Sequence, residues 1–193
     1  MKYTLLFLLA GVVTVTNAQS RQFNIGDTLD CGIVFHIEKD TFNRQHLLIC
    51  SMKDQSSSVT WYNGQYTKTQ AVTDKLYDIG NANTVFNVLG NRSYAAALCR
   101  NFSLNDSTCL IRDTLWYLPS VAELKLMYQI LDSSGRLTFA KEGYWSSVEF
   151  SDQFSGQSTT QKQAFIVDFF NGRSFPNDKS NKYHIRAIRE EFR

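Results

Sequence analysis

The feature that most constrains the fold is a change of hydrophobic period in the C-terminal half of the chain. Val121, Leu124, Met127, Tyr128 and Leu131 recur at three- and four-residue steps, giving one apolar stripe on a helix. Ser120 stands before the stripe and Glu123 three residues later. At that spacing a serine hydroxyl and a glutamate side chain each satisfy a free backbone N–H of the other. Beyond Gly143 the period becomes two. Phe165, Val167 and Phe169 are expected to face a core, with Ala164, Ile166 and Asp168 on the opposite side. Asn171-Gly172 marks a tight turn, and Tyr183, Ile185 and Ala187 alternate with His184, Arg186 and Ile188 in a closing strand.

The preceding chain supplies a hairpin and more helix. Gly32 to Glu38 and His46 to Met52 are rich in apolar and β-branched residues, and polar Lys39 to Arg44 separates them. Asn81 to Leu89 and Ser93 to Phe102 read as two helices divided by Gly90. The order is hairpin, helices, antiparallel meander. Nothing alternates strand and helix as a parallel sheet requires, so the fold class is α+β.

The first eighteen residues are set apart. Lys2, an apolar run from Tyr3 to Val15 and small residues ending at Ala18 have the layout of a cleaved secretory signal. The run is shorter than the roughly 20 residues of a membrane-spanning helix. Residues 19–193 are expected to form a single domain, exported to the periplasm, the cell surface or the medium, with no integral membrane segment. A formal net charge of +2 does not point to a nucleic-acid partner. Asn91, Asn101 and Asn105 each fit the N-glycosylation acceptor pattern.

The four cysteines, Cys31, Cys50, Cys99 and Cys109, all lie in the exported part. An even count in an oxidising compartment favours disulfides. The pairing expected is Cys31 with Cys50 and Cys99 with Cys109, each closing a local loop, and buried free thiols are the alternative. No C-x-x-C spacing occurs, so no zinc site is expected.

An ordered set of motifs then narrows the fold class. These are Gly32 to Phe35, Tyr94 to Cys99, Trp116 to Leu124, Tyr144 to Glu149, Phe169 or Phe170 with Asn171-Gly172, and Ile185 to Arg189. Across nearly the whole mature chain the set resembles the bacterial Lcl C-terminal-like domain family. The resemblance implies a C-type-lectin-like fold with antiparallel sheets, about three flanking helices and long loops, related to that of formylglycine-generating enzymes. It also implies an adhesive or glycan-binding role, with sulfated polysaccharide as the ligand of the namesake domain. These 193 residues contain no Gly-X-Y collagen-like repeat. The enzyme branch of the fold works with a late cysteine pair, and no cysteine follows Cys109. The Glu-Pro-Asn, Gln-Pro-Asp and Trp-Asn-Asp calcium motifs of sugar-binding C-type lectins are absent, and the loop acids Asp152 and Asp178 form no dense oxygen cluster. A G-x-S-x-G nucleophile motif is absent too.

Trp116 and Trp145 belong to the fold motifs and are read as buried packing. Trp61, Tyr62 and Tyr66 lie in a polar loop and are better placed for ligand contact. Among the C-terminal basic residues, Arg186 and Arg189 belong to the closing motif, whereas Arg173, Lys179 and Lys182 are the candidates for an acidic or sulfated partner. The expectation is a non-catalytic binding module that needs no cofactor and no metal. Its ligand contacts are Trp61, Tyr62, Arg173, Lys179 and Lys182, its partner an acidic or sulfated glycan or a surface protein. The alternative is a structural or protein-binding component of a surface, fimbrial or envelope assembly.

Overall fold

The computed structural model describes residues 21–102, 116–151 and 162–193. The expected leader, Asn105, Cys109 and Asp152 lie outside the described residues. Those described form an α+β chain of two curled sheets and three helices. The first sheet has the order β1 (Thr28–Leu29), β2 (Gly32–Lys39), β3 (Gln45–Ser51) and β9 (Ile188–Phe192). The second has the order β4 (Ser56–Thr60), β8 (Lys182–Ile185), β5 (Gly143–Glu149), β6 (Gln163–Asp168) and β7 (Arg173–Asp178). All pairings are antiparallel except one: β8 enters between β4 and β5 and meets β5 in parallel, at Tyr144 and His184.

The closing strand differs from its expected form. Instead of one alternating strand, the chain makes β8 in the second sheet, leaves it at Arg186-Ala187, and makes β9 in the first. The Ser51–Gln55 turn between β3 and β4 holds this passage. Ser51 N donates to Ala187 O at 3.0 Å and Gln55 N to Ile185 O at 3.1 Å. Side chains on both faces of the passage are therefore enclosed, and His184 through Arg189 are all buried. A period of two assigns one face to solvent only where one face of a sheet is wet.

The helices are α1 (Ile79–Leu89), α2 (Ala95–Arg100) and α3 (Val121–Met127), the last continuing as a π-helical turn over Tyr128–Asp132. The capping box forms as spaced. Glu123 N donates to Ser120 Oγ at 3.2 Å and Ser120 N to Glu123 Oε2 at 2.7 Å. Val121, Leu124, Met127 and Leu131 are buried, and α3 packs on β2, β5 and β6. At the β6–β7 turn Gly172 has a φ of +73°, and a side chain there would also strike the Tyr128 ring at 2.6 Å. Trp61, Trp116 and Trp145 are all fully enclosed in the core. No described helix is long and apolar enough to cross a membrane.

The cysteine pairing is corrected. Cys50 and Cys99 are free buried thiols, so neither the Cys31–Cys50 nor the Cys99–Cys109 bridge is made. The hairpin register is the reason: Gly32 faces Ser51 and Ile33 faces Cys50, so Cys50 stands two positions out of step with Cys31. Cys31 itself is disulfide-bonded. Burial pushes the Cys50 thiol up to about 12 and the Cys99 thiol upward as well.

Candidate functional site

Strand β4 and the loop after it decide which aromatic rings reach solvent. Val59 and Trp61 turn inward and are buried, while Thr60 and Tyr62 turn outward and stay partly accessible. Trp61 Nε1 donates to Ser146 O at 2.8 Å, and Lys179 Nζ sits 4.5 Å above the Trp61 ring. Trp61 is thus a core residue and not a ligand contact.

Lys179 is displaced from the candidate set for the same reason. It is fully buried, paired with Glu149, and donates to Thr67 O at 3.2 Å. Glu149 in turn accepts from Thr69 N at 2.9 Å, Thr69 Oγ1 at 3.1 Å and Gln70 N at 2.8 Å. Burial pulls the Lys179 ammonium below its ordinary value, and the Glu149 carboxylate works against that pull. The pair fastens the 67–71 loop and the β7–β8 turn onto β5.

Outside this buried pair lies an open surface made by the 62–66 loop and the same turn. The Tyr62 and Tyr66 rings are tilted against each other with centroids 4.9 Å apart. Tyr66 is 39% exposed, and its hydroxyl donates to Asp178 Oδ1 at 2.6 Å. Ser180 N and Oγ donate to the same oxygen at 2.9 and 2.7 Å. Lys162 Nζ lies 5.7 Å from the centre of the Tyr66 ring. Burial alone would raise the Asp178 carboxyl, but its donors and nearby Lys162 hold it below the usual carboxylate range. Lys182 is exposed and faces Thr60 across the β4–β8 pairing, at the rim of this surface.

Tyr62 and Lys182 are therefore brought together, whereas Arg173 is not. Arg173 is exposed but begins β7, and Asp178 ends it. A six-residue strand places them about 17 Å apart. Lys162 is a surface contributor that the sequence reading does not include. It stands alone just before β6, and no pattern in the sequence marks it.

A second polar cluster joins the two sheets. Asp54 accepts from Arg186 Nε at 2.5 Å and from Tyr144 Oη at 2.9 Å, and its Oδ2 lies 2.7 Å from His184 Nδ1. His184 Nε2 is 3.3 Å from Glu142, which is largely exposed. The Arg186 guanidinium also lies 4.4 Å over the Phe139 ring. Here the carboxylate holds the β3–β4 turn to the β8–β9 passage, and no concavity opens onto it among the cavities described. Arg189 is likewise buried, paired with Asp30 at 3.1 Å and with Glu191.

Two crevices of about 380 and 420 Å³ lie elsewhere, beside the N-terminal segment. Arg21, Phe23, Leu29 and Arg193 line the first; Phe23, Ile25, Ile37, Lys39 and Gln45 are among those lining the second. Neither gathers a nucleophile with a base. Among the described residues, no group of three or more His, Cys, Asp or Glu is placed to hold a metal ion. Compared with known proteins, the chain matches no family model and no curated protein sequence.

Proposed function

We propose that this chain is an exported, non-catalytic binding module of C-type-lectin-like fold, akin to the Lcl C-terminal-like domains. Its role is to recognise a glycan or another cell-surface ligand through the surface around Tyr66. The observation that carries the reading is the way that ring is presented. It is accessible, its hydroxyl is tied to Asp178, Tyr62 packs beside it, and Lys162 stands over it. Accessible aromatic rings held in one orientation bind an apolar ligand face with little ordering cost. The absence of catalysis is supported by where the interior ionisable groups go: Glu149, Lys179, Asp54, His184 and Arg186 are all engaged in ties between segments. Export rests on the leader pattern of residues 1–18.

A second reading, a protein-binding component of a surface, fimbrial or envelope assembly, is favoured by a different observation. Phe170 and Phe192 are 74% and 70% exposed, in separate parts of the molecule. A glycan array probed with the mature protein separates the two. Binding that is lost in Tyr66→Ala supports the module. A blank array, with an envelope protein retained on the wild type and lost in Phe192→Ser, sinks the first reading and supports the second.

A further inference from the structure

Six basic residues lie between positions 173 and 189, a composition that invites a polyanion, yet the fold withdraws four of them. Lys179 is paired with Glu149, His184 and Arg186 with Asp54, and Arg189 with Asp30 and Glu191, all four side chains being buried. Arg173 remains exposed at the far end of β7. The charged groups placed directly at Tyr66 are Lys162 over its ring and the carboxylate of Asp178 on its hydroxyl, one of each sign, with exposed Lys182 at the rim and exposed Lys68 two residues along the loop. We infer that the ligand of this surface is a neutral glycan, an uncharged pyranose that packs a C–H face on Tyr66 and donates hydroxyls to Asp178, and not a sulfated chain. This rests on the glycan reading above.

The chemistry of each group fits that ligand. The face of a tyrosine ring is the negative part of its quadrupole, and it attracts the weakly positive C–H face of a sugar. Asp178 Oδ1 already accepts three hydrogen bonds, while Oδ2 accepts none from any described residue. An ionised carboxylate only accepts, so it takes a sugar hydroxyl and repels a sulfate placed in the same position. Lys162 makes no ion pair with a described residue, although it acts on Asp178 through space. Its ammonium is free to donate to hydroxyl or ring oxygens.

The test is a matched comparison on the mature protein: immobilised neutral glycans, dextran among them, against heparin and dextran sulfate, at low and at physiological salt. The expected result is binding to at least one neutral glycan, changing less than about twofold with salt because few counterions are released. Tyr66→Ala and Asp178→Asn each weaken it by roughly tenfold or more, with folding checked by circular dichroism, while Arg173→Ala leaves it unchanged. Binding confined to heparin or dextran sulfate, steeply salt-dependent and lost in the Lys162→Ala, Lys182→Ala double variant, overturns the inference and leaves the glycan reading standing. Neutral-glycan binding that survives Tyr66→Ala overturns the assignment to this surface. No binding to any glycan overturns both.

Discussion

Lys179 and Lys162 stand on either side of the same tyrosine-bearing loop, and their environments differ completely. Lys179 lies beneath the loop, without exposure, against Glu149 and the Trp61 face. Lys162 lies outside it, in water, over the ring of Tyr66. A buried ammonium must be matched by a carboxylate and further hydrogen bonds, so it serves structure and is unavailable to a ligand. An exposed one is held by little and keeps its donors. The same contrast separates Arg186 and Arg189 from Lys182. Basic composition in this region therefore says little about binding until burial has been assigned.

The sharpest way to break the contrast is to remove one partner of the buried pair. Lys179→Ala or Glu149→Ala is expected to cost about 3–5 kcal/mol in urea unfolding, because each leaves an uncompensated buried charge. The Lys179→Met, Glu149→Leu double variant recovers most of that loss. An equal loss in the double variant would show that the pair's charges are not what matters. Asp54→Ala is expected to cost about 3 kcal/mol for the same reason, since it strands Arg186 and leaves Tyr144 and His184 without their acceptor.

A third expectation uses pH. Burial pushes the Glu123 carboxyl up to about 7, against the Ser120 amide, Tyr117 hydroxyl and Asp78 amide, which oppose the shift. In the unfolded chain the group titrates near its ordinary value of 4.5. The folded state then binds the proton more tightly, so this group's stabilisation is present in full below pH 4.5. It declines as pH rises towards 7. Urea midpoints measured between pH 4.5 and 8 are expected to fall less steeply in Glu123→Gln than in the wild type. Parallel curves would remove Glu123 as the cause.

At the exposed end the expected effects on stability are small. Tyr66→Ala is expected to change unfolding free energy by no more than about 0.5 kcal/mol, as for most surface substitutions. A larger loss would make Tyr66 a structural residue and weaken its claim on a ligand. The thiols complete the comparison. Cys50 and Cys99 are expected to resist a thiol reagent in the native protein and to react once it is unfolded in denaturant. Rapid reaction of either in the folded state would contradict its burial.

Much of the architecture was legible because it is written in local periodicity. The β2–β3 hairpin, the α3 stripe with its Ser120–Glu123 cap and the Asn171-Gly172 turn all appear at the expected places. The inward turn of Trp61 was legible too, for it continues the alternation that begins at Val59. Reading the loop by its polarity alone hides this. Lys179 carried no such signal. Its neighbours are polar, lysine is among the least often buried residues, and its carboxylate partner lies 30 positions away at Glu149.

By itself the sequence determined the α+β class, the caps, the turns and the residues apt for the core, because these depend on neighbours a few positions apart. The tertiary structure alone decided that the closing segment divides between two sheets and that Cys50 misses Cys31 by two places. It also decided which of the basic side chains still meet water. Those outcomes depend on sheet register and on charges paired across 30 to 159 positions of chain, and no local pattern carries such distances.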